Sequence, residues 1–285
     1  MRSLNIFVLS LTLLVACGRN SVRIPTITDD RDGKYLYGKF VWHDLVTDNV
    51  PAARDFYGQL FGWEFEGRGG DGAPYLTAVK DDIPIAGIVK ADRLQEQVNE
   101  SRWISYISVP DVDKVASLIL NSGGLIYRAP MELEVRGHQA IVGDNSGAAF
   151  GIITANGGDP IDSGSKEGTW LWDELVTDYP QDVVTFYTSI AGYEIGDMSD
   201  GNPEDYYILS FEGKQRAGIT SIPWENAKPN WLPYIMVNDL STKISRAEGL
   251  GARIIIAPDQ NIQNGNIAIL ADPTGAVFGL QKWPL

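Results

Sequence analysis

The stretch Phe40-Val41-Trp42-His43-Asp44-Leu45-Val46-Thr47-Asp48 returns as Trp170-Leu171-Trp172-Asp173-Glu174-Leu175-Val176-Thr177-Asp178, an offset of 130 residues. Aromatic, aliphatic and acidic positions recur in one order, so a module is written twice. Working outward, Phe56-Tyr57 returns as Phe186-Tyr187, and Gly62-Trp63 as Gly192-Tyr193. Trp103 and Tyr106 return as Trp231 and Tyr234. Asp144-Asn145-Ser146-Gly147-Ala148-Ala149-Phe150-Gly151 returns as Asp272-Pro273-Thr274-Gly275-Ala276-Val277-Phe278-Gly279. The modules are 37–155 and 167–285, and the Gly/Ser/Pro-rich stretch 156–166 links them.

Each module divides again. Phe40 to Val46 is a predicted strand, and Asp48 is placed to cap a helix from about Val50 to Leu60 with Pro51 in its first turn. Val50, Ala53, Tyr57 and Leu60 keep helical spacing until Gly62. Short strands follow at 63–66, 75–80 and 85–90. The second half repeats this order from Trp103, with Asp111 capping its helix and strands near 125–128, 139–144 and 149–154. The second module does the same, with helices after Asp178 and Asp239. The predicted fold is α+β: two tandem modules, each of two paired βαβββ units forming a curved mixed sheet around a cleft.

Composition narrows the function. Of 285 residues, 44% are hydrophobic and 21% charged, which is globular rather than disordered. Lys plus Arg number 23 against 37 Asp plus Glu, a net charge of −14, with no basic run to meet phosphates, so nucleic acid is not an expected partner. One cysteine excludes a disulfide framework within one chain.

That cysteine belongs to an address. Arg2 precedes an apolar stretch, Leu4 to Val15, too short to span a bilayer but suited to a secretory signal. Leu14-Val15-Ala16-Cys17 resembles a bacterial lipobox, which implies a signal peptide over 1–16 and a lipid anchor on Cys17. Gly18, not Asp, follows Cys17, which points to the outer rather than the inner membrane of a Gram-negative envelope, the protein facing the periplasm. Residues 17–36 are polar, carry Pro25 and read as a tether, the alternative being a short strand from Val22 to Ile27.

The segments FYGQLFGWEF, DNSGAAFGI and DPTGAVFGL resemble the vicinal oxygen chelate superfamily, which includes glyoxalase I, extradiol dioxygenases and bleomycin-binding resistance proteins. The tandem W-x-[DE]-L-x-T-D openings look like its two-module, glyoxalase-related branch. The resemblance implies metal ligands on the first and last strand of each unit. The matching first-strand slots are Val41, Ile104, Leu171 and Leu232, and the last-strand slots are Gly87, Gly151, Gly218 and Gly279. None offers a metal-binding side chain, so no metal site and no cofactor are predicted, although the superfamily leaves a divalent metal open.

The four glycines read either as a cleft floor cleared for a ligand or as an inherited sheet bend. His43 and Asp173 alternate onto the face of the vacant slots, where they are candidate general bases, the alternative for His43 being a surface or rim residue. Asp44 and Glu174 alternate onto the helix-facing side, unless a bulge turns them into the cleft; they are candidate catalytic acids or structural ones. Trp103, Tyr106, Trp231 and Tyr234 are candidate cleft walls, and Tyr75 and Tyr207 sit at similar places in the two modules. His138 is a rim or loop residue, and Arg68-Gly69-Gly70-Asp71-Gly72 is a hairpin loop. Three functions follow. The first is metal-independent binding of a small aromatic or amphipathic molecule in the cell envelope. The second is a glyoxalase-, hydroxylase- or dioxygenase-type enzyme. The third is an envelope interaction module with vestigial clefts. The oligomeric state is left open.

Overall fold

A computed structural model describes residues 24–28, 32–67, 74–91, 101–162, 164–197, 206–224 and 227–284. The signal, Cys17 and the hairpin loop 68–72 lie outside the described residues. No described helix is long and apolar enough to cross a membrane.

The first module runs β1 (Phe40–Thr47), α1 (Val50–Phe61), β2 (Glu64–Glu66), β3 (Tyr75–Lys80), β4 (Ile83–Lys90), β5 (Arg102–Ser108), α2 (Val112–Asn121), β6 (Leu125–Leu133), β7 (Gly137–Gly143) and β8 (Ala149–Ala155). The second runs β9 (Trp170–Thr177), α3 (Pro180–Ala191), β10 (Glu194–Asp197), β11 (Tyr207–Phe211), β12 (Lys214–Ser221), β13 (Asn230–Val237), α4 (Leu240–Gly249), β14 (Arg253–Ile256), β15 (Ile267–Ala271) and β16 (Val277–Lys282). Each module is one eight-stranded mixed sheet, in the orders β2-β3-β4-β1-β5-β8-β7-β6 and β10-β11-β12-β9-β13-β16-β15-β14. The fold is the predicted one: α+β, two tandem modules, two βαβββ units each.

Asp111 and Asp239 cap α2 and α4 by accepting the Lys114 and Thr242 amides at 2.9 and 3.0 Å. The other two caps fall one residue later than predicted. Asn49, not Asp48, accepts the Ala52 amide at 3.3 Å, and Tyr179 begins α3 with no side-chain cap. Gly62 and Gly192 end α1 and α3 in the left-handed conformation that favours glycine.

The hydrophobic cores do not follow the module boundary. One core joins α1 and the first unit (Leu45, Phe56, Tyr57, Ile88) to the last unit (Ile235, Ile244, Leu270, Phe278). The other joins α2 and the second unit (Val115, Ile119, Phe150) to α3 and the third (Phe186, Tyr187, Ile219). Each helix packs on its own module's sheet, and the modules meet helix to helix, α1 on α4 and α2 on α3, and through β5 and β13, so the two are interlocked halves of one body.

Part of the expected tether is not free. Ile24, Ile27 and Thr28 are buried, Ile27 fully, against Val41, Trp42, Ile104 and Tyr106. The described stretch Ile24–Ile27 is not a strand. An Ile-x-x-Ile spacing in a polar stretch was the available sign that this segment had apolar surface to bury. Further on, the Leu36 amide donates to Asp159 at 2.7 Å, pinning chain to linker.

Candidate functional site

The cleft face is fixed by a bulge at the start of β1. Phe40 pairs with Ile107 but Trp42 with Tyr106, so Val41 is the extra residue, and Leu171 is the same in β9. A one-residue shift turns every following side chain to the other face. Asp44 and Glu174 therefore enter the clefts, the outcome a bulge was expected to give. His43 and Asp173 leave them, which corrects their placement beside the vacant slots.

The glycines serve neither of the two expected purposes. A Cβ on Gly87 would collide with the Tyr75 hydroxyl and Asp44, and one on Gly151 with the Tyr106 ring. On Gly218 it would strike the Tyr206 hydroxyl, and on Gly279 the Tyr234 ring. Each glycine is a seat for one tyrosine of the chain itself. The tyrosines converge in pairs on the two carboxylates. Tyr75 donates to Asp44 Oδ1 at 2.8 Å, and Tyr106 bonds the same carboxylate. Tyr234 donates to Glu174 Oε2 at 2.9 Å, and Tyr206 bonds it too. Tyr206, not Tyr207, is thus the partner of Tyr75.

The two carboxylates differ in what neutralises them. Fully buried Arg136 donates from Nη1 to Asp44 Oδ2 at 2.9 Å and from Nη2 to the Tyr75 hydroxyl. Its guanidinium carbon lies 5.1 Å from the ring centroids of both Trp42 and Tyr75. Its Nε donates to the Pro25 carbonyl at 3.2 Å, so the cleft is closed by the chain's own 24–28 segment. The repeat places Asn264 opposite Arg136, and Glu174 has no cation partner among the described residues. Burial raises the Glu174 carboxyl above its ordinary range, and its tyrosine donors only partly oppose this. Around it Leu232, Ile267 and Ile269 are buried, while Trp172, Ile222, Trp224, Ile255 and Val277 are only partly covered. The second cleft thus surrounds a buried carboxyl with apolar side chains, several of them only partly covered. Arg136 was missed by sequence reasoning; the signal was a lone arginine where the repeat has asparagine.

The remaining predicted residues sort by strand face. Trp103 and Trp231 are helix-side core rather than cleft walls: their Nε1 groups donate to Tyr57 and Tyr187 hydroxyls at 2.9 and 2.8 Å. Tyr106 and Tyr234 do face the clefts. His43 Nε2 lies 3.0 and 3.1 Å from the two Asp173 oxygens, bringing together two residues expected in separate clefts. His43 is buried, not a rim histidine. His138 does lie at a rim, on β7, 3.5 Å from Glu132 and Asp113.

The side chains do not fit a metal. Among the described residues no three His, Cys, Asp or Glu groups converge. In the first cleft a guanidinium holds the carboxylate, and in both the last-strand slots are glycines roofed by tyrosine.

No protein-family profile matches the chain. It is similar to CFP32 of Mycobacterium tuberculosis, provisionally named a glyoxylase, at 28% identity over 87% of this chain and 96% of that protein. It is also similar to the anthracycline biosynthesis protein DnrV of Streptomyces peucetius, at 26% identity over 87% and 94%. Among solved structures it resembles a Mn(II)-bound glyoxalase from Novosphingobium aromaticivorans (TM-score 0.59, 15% identity, 86% of this chain and 82% of that one). It also resembles a homoprotocatechuate 2,3-dioxygenase variant from B. fuscum (TM-score 0.60, 11% identity, 91% and 75%). At these identities the structural likeness establishes the fold alone.

Proposed function

We propose that the chain is a glyoxalase-like member of the vicinal oxygen chelate superfamily whose second module binds a small aromatic or amphipathic molecule without a metal, in the cell envelope. The observation that carries this reading is the asymmetry of two repeats. The first cleft is filled by Ile27 and its carboxylate is held by Arg136. The second has partly buried apolar walls around a buried carboxyl that two tyrosines but no cation hold. Such a lining suits a flat apolar body, with Glu174 and the Tyr206 and Tyr234 hydroxyls fixing one polar edge. The relatives' names agree in kind, since one of them serves anthracycline biosynthesis. Envelope anchoring through Cys17 rests on the lipobox-like sequence.

The test is native mass spectrometry of the purified chain with elemental analysis of the same sample. A metal-free chain carrying an organic mass, lost in Tyr234→Ala, supports the reading. A stoichiometric divalent metal sinks it. Anchoring is tested by detergent phase partition, which Cys17→Ser should abolish.

One observation favours an enzyme of the same superfamily as the second reading. A carboxyl whose burial keeps its proton at higher pH is suited to general acid–base work. Glu174→Gln would then abolish turnover while ligand binding persists.

A further inference from the structure

A cavity of about 560 Å³ lies at the junction of the two modules, away from both cleft carboxylates. Its walls come from the start of β1 and β9, the β3–β4 hairpin, the linker and β12. The pair His43–Asp173 lines it, from equivalent positions of the repeat. His43 is 3% exposed and its ring stacks on Trp170 at 4.2 Å between centroids. Nε2 faces both carboxylate oxygens, which leaves Nδ1 for a further partner. Nδ1 has no partner among the described residues, and neither does the buried Nε of Arg216, which lines the same cavity. Arg216 is held in place through Nη1, which donates to Asp162 at 2.9 Å.

The lining charges are unusual for so acidic a chain. Lys39, Lys80, Lys166 and Arg216 meet Asp81, Asp162 and Asp173 there, leaving a cation in excess inside a protein of net charge −14. Lys166 is exposed and makes no ion pair among the described residues. Trp170 with Ile83, Pro84, Ile85 and Ile161 supplies the apolar part of the wall, and Trp172 lies between this cavity and the second-module cleft.

We infer that this junction is a second ligand site, for a small aromatic carboxylate bearing a hydroxyl. The carboxylate answers the Arg216 Nε–H and the Lys166 ammonium. The ring lies against Trp170 and the aliphatic wall, and the hydroxyl hydrogen-bonds His43 Nδ1. Because both modules contribute, the site exists only in the assembled chain. It touches the second-module cleft at Trp172 but shares none of that cleft's polar groups.

The chain has only two histidines, so ¹⁵N-imidazole NMR of the full chain reads the site directly, with His138 as an internal control. Titrated with 4-hydroxybenzoate and separately with 1-naphthoate, the His43 nitrogens should move and saturate, most strongly Nδ1 with the hydroxylated probe, while His138 stays still. Lys166→Gln, at an exposed position that the fold does not need, should weaken the probe at least several-fold, and Arg216→Gln tenfold or more. Glu174→Gln should leave the titration unchanged. A His43 signal unmoved by both probes overturns the inference. So does a shift lost in Glu174→Gln but kept in Lys166→Gln, which would move binding to the other cleft.

Discussion

The Tyr57 hydroxyl, on α1 of the first module, donates to Asp272 Oδ2 of the second at 3.0 Å. Tyr187 on α3 donates to Asp144 at 2.9 Å, so the bond is made once in each direction across the pseudo-twofold. Each aspartate also accepts two amides of its own turn, Asp144 those of Ser146 and Ala148, and Asp272 those of Thr274 and Ala276. The repeated D-x-x-G turn is thus both a local turn and the anchor for the neighbouring module.

Tyr57→Phe strands two buried groups, Asp272 Oδ2 and the Trp103 indole N–H. An unsatisfied buried polar group costs roughly 1–3 kcal/mol, and the loss should appear in urea unfolding as a lower midpoint at unchanged slope. Tyr187→Phe should lose a similar amount, since its bonding is the same. Independent unfolding of two modules in separate transitions would contradict the shared cores.

Gly279→Ala tests what the glycines are for. A Cβ there overlaps the Tyr234 ring, so the tyrosine must leave and its bond to Glu174 goes with it. Overpacking of this kind costs about 1–3 kcal/mol. The pair Gly279→Ala/Tyr234→Ala should be less destabilised than the two single losses summed, because the clash is gone. Strict additivity would return the glycine to the cleared-floor reading.

Glu174 gives the chain a pH signature. Its carboxyl is raised from an ordinary 4.5 chiefly by burial, so the native state holds the proton more tightly than the unfolded state. The stability it contributes is complete below the unfolded value and is lost as pH climbs through the raised folded value. Glu174→Gln keeps the shape without the charge. Urea unfolding from about pH 4 to about pH 8 should therefore show the glutamine variant gaining on the unsubstituted chain as pH rises, then levelling. A constant difference across that range would mean Glu174 ionises freely.

Ile27→Asp should release the segment that closes the first cleft, because a charge would be buried among Trp42, Ile104 and Tyr106. Trypsin cleavage after Arg31 should then accelerate well before global unfolding. The apolar contact itself is worth about 1.5–3 kcal/mol for a fully buried isoleucine, so the rest of the fold should survive. An unchanged cleavage rate would show that the segment is held by other contacts.

The legible part of this protein was the part set by near neighbours in the chain. Helical spacing gave α1 to α4 within a few residues, and D-x-x-G turns and repeated aromatics gave two modules of four βαβββ units. Strand faces failed at Trp103 and Trp231, which alternation from Tyr106 and Tyr234 puts on the helix side, and at the start of β1 and β9, where a single extra residue at Val41 and Leu171 inverts alternation and nothing in the local sequence marks it. The inversion at the bulges exchanged the roles of His43 with Asp44 and of Asp173 with Glu174.

By itself the sequence determined the fold, the repeat and the absence of ligating side chains in the expected slots, since each follows from residue type at a fixed spacing. Only the tertiary structure decided that glycine seats tyrosine, that Arg136 cancels Asp44 while Glu174 stands alone, and that Ile27 fills one cleft. These are meetings of residues distant in the chain, up to 92 positions apart for Arg136 and Asp44. Which buried charge finds a partner depends on how the two interlocked sheets close, and spacing along the chain carries no record of that.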